Sequence, residues 1–96
     1  MSNLKANSIS PYVGLAQRAG AILYGEDIIL EKIRFAKVVL IDANAPDKYK
    51  DRLKSKIKTC PTFITEDLKR ALHKDNVNAV AITNDGLANA ITELLR

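Results

Sequence analysis

The sequence predicts an α/β protein, a three-layer α/β/α sandwich with a central four-stranded sheet and helices on both faces. Three observations carry that expectation. Short apolar runs rich in β-branched residues, such as Val38-Val39-Leu40-Ile41, alternate with segments whose apolar residues recur at helical spacing. Residues that start, stop or turn the chain stand between them. The chain has 96 residues, of which 47% are hydrophobic and 27% charged, so one compact domain spanning residues 1–96 can bury a core without disulfides.

Each element has its own local reason. Residues 1–8 read as a flexible tail, and Ser10-Pro11 reads as a helix start, because serine accepts from an orphan N–H and proline has none to leave unpaired. Val13, Leu15, Ala16 and Ala19 continue that helix, and Gly20 suits the left-handed position that ends it. Ala21 to Tyr24 is a brief strand. Gly25-Glu26-Asp27 opens a second helix, its acids matching the positive end of the helix dipole, with Ile28, Ile29 and Ile33 as its buried stripe. Val38 to Ile41 is too short and too branched for a helix and reads as a buried strand. Asn44-Ala45-Pro46-Asp47 starts a third helix, which turns Tyr49, Leu53 and Ile57 inward. Thr62-Phe63-Ile64 is the third strand, Thr65 caps a fourth helix carrying Leu68, Ala71 and Leu72, and Val77 to Thr83 is the fourth strand. Asn84 caps a last helix with Leu87, Ile91, Leu94 and Leu95 on one side.

Composition narrows the function. The longest aliphatic runs are four residues, whereas a membrane span needs about 20, so no membrane partner is expected. Met1 to Ser10 lacks the apolar stretch of a secretory leader, and the cytoplasm is the expected location. Cys60 is the single cysteine and His73 the single histidine, which leaves no thiolate metal site; no metal, cofactor or small-molecule substrate is expected. Cys60, next to Pro61 before an apolar strand, reads as a small buried hydrophobe rather than a nucleophile, and His73 as a helix-end residue. Neither a Walker lysine motif nor a dinucleotide glycine motif occurs. An enzyme is therefore not expected. The net charge is +4, and between Lys48 and Lys58 five lysines and Arg52 oppose Asp51 alone. That segment holds the whole positive balance of the chain, as a polyanion-binding surface would, though a solvated helix face has the same composition.

Tyr24-Gly25-Glu26-Asp27 carries the chain from strand to helix through a glycine, which leaves backbone N–H groups at an exposed tip. A carboxylate there repels phosphate but can accept from the N1 and N2 hydrogens of a guanine. Gly14-Leu15-Ala16-Gln17-Arg18-Ala19-Gly20, then Gly25-Glu26-Asp27, and later Val80-Ala81-Ile82-Thr83-Asn84-Asp85-Gly86 resemble the bacterial YlxQ-like branch of the ribosomal L-seven-Ae and L-thirty-e family, over roughly Pro11 to Leu95.

The resemblance implies a mixed four-stranded sheet and non-catalytic binding of structured RNA, commonly kink-turns in which sheared G·A pairs bend a duplex, or ribosomal RNA and association with the ribosome. It implies an RNA site at the start of the second helix, comprising Gly25, Glu26 and Asp27, with Asn44 after the second strand and Asn76, Val77 and Asn78 before the last. Lys48, with Arg52, stands beside the Asn44 loop and adds phosphate contacts in this reading. Kink-turn binders usually show Gly-x-Asn-Glu. Here Asp27 and Ile28 hold the corresponding pair, Glu31 replaces a lysine, and Ala21, Leu23 and Tyr24 occupy a strand where lysines are common. The alternative is a protein-interaction adaptor that kept the fold and uses Ile28 and Tyr24 in an apolar patch.

Overall fold

The computed structural model describes residues 3–66 and 68–96. Helix α1 runs Asn3–Ala19, strand β1 Ile22–Tyr24 and helix α2 Glu26–Glu31, followed by a 3-10 turn at Ile33–Phe35. Strand β2 is Val38–Asp42, helix α3 Asp47–Lys56, strand β3 Thr62–Thr65, helix α4 Leu68–Leu72, strand β4 Ala79–Ile82 and helix α5 Asp85–Leu95. The strands lie in the order β1-β4-β2-β3. β2 and β3 are parallel, whereas β4 is antiparallel to both β1 and β2, so the sheet is mixed.

Strand alternation builds the three layers. Val38 and Leu40 of β2, with Val80 and Ile82 of β4, pack on one face against Ile9, Val13 and Ala16 of α1, Leu68 and Leu72 of α4, and Ala88 and Ile91 of α5. Val39 and Ile41, with Ala79 and Ala81, pack on the other face against Ile29 of α2 and against Leu53 and Ile57 of the α3 segment. Both central strands are buried throughout, which is why they read as unbroken apolar runs rather than alternating ones.

Several boundaries differ from the sequence reading. Helix α1 passes through Pro11 and is already helical at Asn3, in the segment expected as a tail; Met1 and Ser2 lie outside the described residues. Proline removes one helical hydrogen bond, but Ile9, Val13 and Ala16 form a single buried stripe across it, while Pro11 itself faces solvent. Burial of that stripe outweighs the local start signal at Ser10-Pro11. Ile28 is 41% exposed rather than part of the stripe with Ile29, because adjacent helical residues diverge by about 100° and only Ile29 points at the sheet. Thr65 is the last residue of β3, paired with Asp42, and α4 begins three positions later at Leu68. The cap expected at Asn84 does form: its Oδ1 accepts from the Leu87 N–H at 2.9 Å.

Gly20 ends α1 at φ 68°, with the Ala21 N–H returning to the Ala16 carbonyl at 2.9 Å. This left-handed closure turns the chain directly into β1.

Candidate functional site

The antiparallel and parallel pairings bring the C-terminal ends of β1, β2 and β3 and the start of β4 to the same end of the sheet. Three loops expected to act together therefore meet there. Gly25 joins β1 to α2 at φ 87°, ψ 155°, a region open in practice only to glycine. Its N–H donates to the Ala79 carbonyl at 3.0 Å, and its own carbonyl accepts from Ile29 at 3.0 Å, so the tip is tied to β4 on one side and to its helix on the other. Gly25, at the N-cap of α2, has no side chain with which to cap it.

Asp42 connects the other two loops. Its N–H donates to the Asn78 carbonyl at 2.8 Å, and its carbonyl accepts from Ala45 at 3.0 Å. Its side chain is only 1% exposed, and Lys69 of α4 stands 3.8 Å from Oδ2. A buried carboxylate is costly without a counter-charge, so Lys69 and Asp42 clamp α4 to the strand end that carries the loops. Asn44 and Asn76 project into solvent, Asn78 is half-buried, and Val77 packs partly against the α1/α4/α5 core. The structure thus collects Gly25, Glu26, Asp27, Asn44, Asn76, Val77 and Asn78 at one end, with Lys48 exposed on the first turn of α3 beside them. Of these, Val77 serves packing at least as much as the surface.

Glu26 and Asp27 have different surroundings. Glu26 turns toward α3, where Arg52 grips its carboxylate with two hydrogen bonds, Nε to Oε2 at 2.5 Å and Nη2 to Oε1 at 2.7 Å. Its side chain is 16% exposed. The Arg52 hydrogen bonds hold the Glu26 carboxyl below its ordinary value, against an opposing push from burial. Arg52 lies over the Tyr49 ring, 5.5 Å from its centroid. Burial, and then the Glu26 charge, raise the Tyr49 hydroxyl. Asp27, one position on, is exposed and has no ion-pair partner among the described residues. The acceptor left free at the tip is therefore Asp27, while Glu26 is neutralised and braces α2 on α3.

Lys50 was not singled out by the sequence, yet its Nζ donates to the Ala43 carbonyl at 2.9 Å and sits 3.4 Å from Asp47. It steadies the Asn44 loop from below. A visible signal was its place seven residues after Ala43, early in a helix that follows the loop. Asp42, a charge directly after an apolar run, carried a similar signal. Cys60 is half-buried against the α2/α3 core, and burial pushes its thiol up, away from thiolate chemistry. Among the described residues no group of three His, Cys, Asp or Glu is placed to hold a metal, and no helix is long and apolar enough to cross a membrane.

Comparison with known proteins adds to this geometry. The chain is 33% identical over 92 residues to the RNA-binding protein YlxQ of Bacillus subtilis (strain 168), a match covering 88% of this chain and 92% of that protein. The chain belongs to the YlxQ family. No family model matches it. A solved structure of a protein of unknown function from Bacillus halodurans C superposes with a TM-score of 0.80 at 21% identity, covering 91% of this chain and 95% of the other, and it shares the fold. Within this YlxQ-family chain, the end of the sheet that carries Gly25 presents an exposed carboxylate, exposed amides and a basic helix within one surface.

Proposed function

We propose that this YlxQ-family chain is a non-catalytic binder of structured RNA, kink-turn-like or ribosomal, acting beside the ribosome in the cytoplasm. The observation that carries the reading is the convergence of three separate segments at one sheet end, tied together by the Gly25–Ala79 and Asp42–Asn78 hydrogen bonds. Asp27 accepts from guanine N–H groups that a bent, non-helical RNA exposes and a regular A-form groove hides. Asn44 and Asn76 supply amides to neighbouring base edges or ribose hydroxyls. Lys48, at the start of α3, meets the phosphates of one flank. Arg52 cancels the Glu26 charge, which lowers the repulsion that two adjacent carboxylates would otherwise present to a polyanion. The name of the Bacillus subtilis relative supports RNA as the partner.

The test is equilibrium binding to a kink-turn RNA beside the same duplex without its bulge and G·A pairs, at two salt concentrations. A preference of tenfold or more, about 1.4 kcal/mol, that disappears in Asp27→Ala supports the reading. Equal, salt-sensitive binding to both RNAs refutes motif recognition and reduces the function to non-specific contact by α3. Ile28, 41% exposed at the tip, favours a second reading as a protein-interaction adaptor. An adaptor would elute early from an RNA column in rising salt.

A further inference from the structure

The α1 motif Gly14–Gly20 lies away from the tip, yet it lines a cleft of about 440 Å³ between α1 and the end of α4. Ser10, Gly14 and Arg18 recur along one stripe of α1 and form one wall, and Ala71 and His73 form the other. The absence of a side chain at Gly14 lets Arg18 fold back along the helix: its Nη1 lies 3.5 Å from where a Cβ on Gly14 would stand. Arg18 has no carboxylate partner among the described residues, and none of the residues lining the cleft is acidic. On the opposite wall His73 ends α4 at φ 57°, the one non-glycine residue with positive φ among those described. A left-handed histidine is uncommon, and here it places an imidazole at the mouth of the cleft.

The cleft also connects to the tip. Gln17, part of its lining, donates to the Tyr24 hydroxyl at 3.2 Å and to the Leu72 carbonyl at 3.0 Å. Tyr24 directly precedes Gly25, and the Lys74 ammonium stands 5.2 Å from the Tyr24 ring centroid. A band of hydrogen-bond donors, the Arg18 guanidinium, the His73 imidazole and the Lys74 ammonium, thus runs from the cleft toward the loop that holds Asn76.

We propose that this cleft is a phosphate site that receives a backbone phosphate of the bound RNA, with Arg18 and His73 as donors and the Ser10 hydroxyl as a third. The proposal rests on the RNA-binding reading above. The guanidinium fork matches two phosphate oxygens, which an ammonium in the same place would not. A backbone phosphate here puts the RNA on the α1/α4 side of the sheet as well as on the α3 side, so that the duplex straddles the tip.

The test measures affinity of the full chain for the kink-turn RNA against salt, with Arg18→Gln, with His73→Gly, which suits the left-handed backbone, and with Gly14→Leu, which favours the helix and fills the cleft. Each variant is expected to keep the thermal midpoint, bind more weakly and flatten the log–log salt slope by about one. In the unaltered protein, inorganic phosphate is expected to shift the His73 ring resonances, and Arg18→Gln to abolish that shift. An unchanged slope in Arg18→Gln, with Asp27→Ala still weakening binding, overturns the phosphate site and leaves the RNA reading intact. If the unaltered chain binds no RNA at all, the RNA reading fails. A surviving phosphate shift would then overturn RNA as the carrier of the phosphate, and its absence would overturn the site as well.

Discussion

Replacing Gly25 with alanine isolates the backbone requirement of the tip. A Cβ added there meets nothing within 4 Å, so the penalty is conformational rather than steric. At φ 87°, ψ 155° an L-residue is disfavoured by about 1–3 kcal/mol. The reduced freedom of the unfolded alanine chain returns about 0.4–1 kcal/mol of this. The net loss lies between about 0 and 2.6 kcal/mol, centred near 1.3 kcal/mol, and at that centre it lowers Tm by roughly 5–10 °C in a domain of this size. Relaxing the turn also breaks the Gly25–Ala79 hydrogen bond, and Asp27 then moves relative to the Asn44 and Asn76–Asn78 loops. Thermal and urea unfolding measure the first effect, and kink-turn binding measures the second. Gly20→Ala, at φ 68° with equally open space, serves as the control: it should destabilise comparably while leaving RNA affinity per folded molecule unchanged. A Tm shift below about 2 °C for Gly25→Ala, with RNA binding intact, would show that the turn adopts another conformation freely and that glycine is not what positions the tip.

Other perturbations test the frame around the site. Leu53 is fully buried between α3 and the sheet, so Leu53→Ala should cost about 2–5 kcal/mol by urea unfolding; a cost under 1 kcal/mol would mean that the α3 face packs loosely. Asn84→Ala removes the Leu87 cap of α5 and should cost about 1 kcal/mol, read as a small Tm decrease that Asn84→Asp largely restores. Because Arg52 lowers the Glu26 carboxyl from its ordinary 4.5, the unfolded chain takes up that proton first as pH falls. The stabilisation from the pair is therefore present above about 4.5 and lost below it. An acid titration should show the stability difference between the unaltered protein and Glu26→Gln narrowing below that point, and a constant difference would remove the pair from the account.

The layered α/β architecture was legible in the sequence because its signals are local. Val38–Ile41 is branched and short, Tyr49, Leu53 and Ile57 recur every turn, and Asn84 carries its own acceptor for the next helix; each is decided by neighbouring residues alone. The loops that carry Gly25, Asn44 and Asn76–Asn78 were also legible as loops, since a strand-glycine-helix turn marks its own position. What long-range packing decides was not legible. The start of α1 follows burial of Ile9 on the far side of Pro11, a contact with the distant sheet that overrides a sound local start signal at Ser10-Pro11. The exposure of Ile28 depends on which side of α2 meets β1 and β4, and Thr65 belongs to a strand because Asp42 pairs with it. The division of labour at the tip, with Glu26 held by Arg52 and Asp27 left free, links residues 26 positions apart. Sequence spacing reports periodicity within one element. Which of two adjacent carboxylates is bound by an arginine, and which cationic side chains share a cleft, is decided only when separate elements dock.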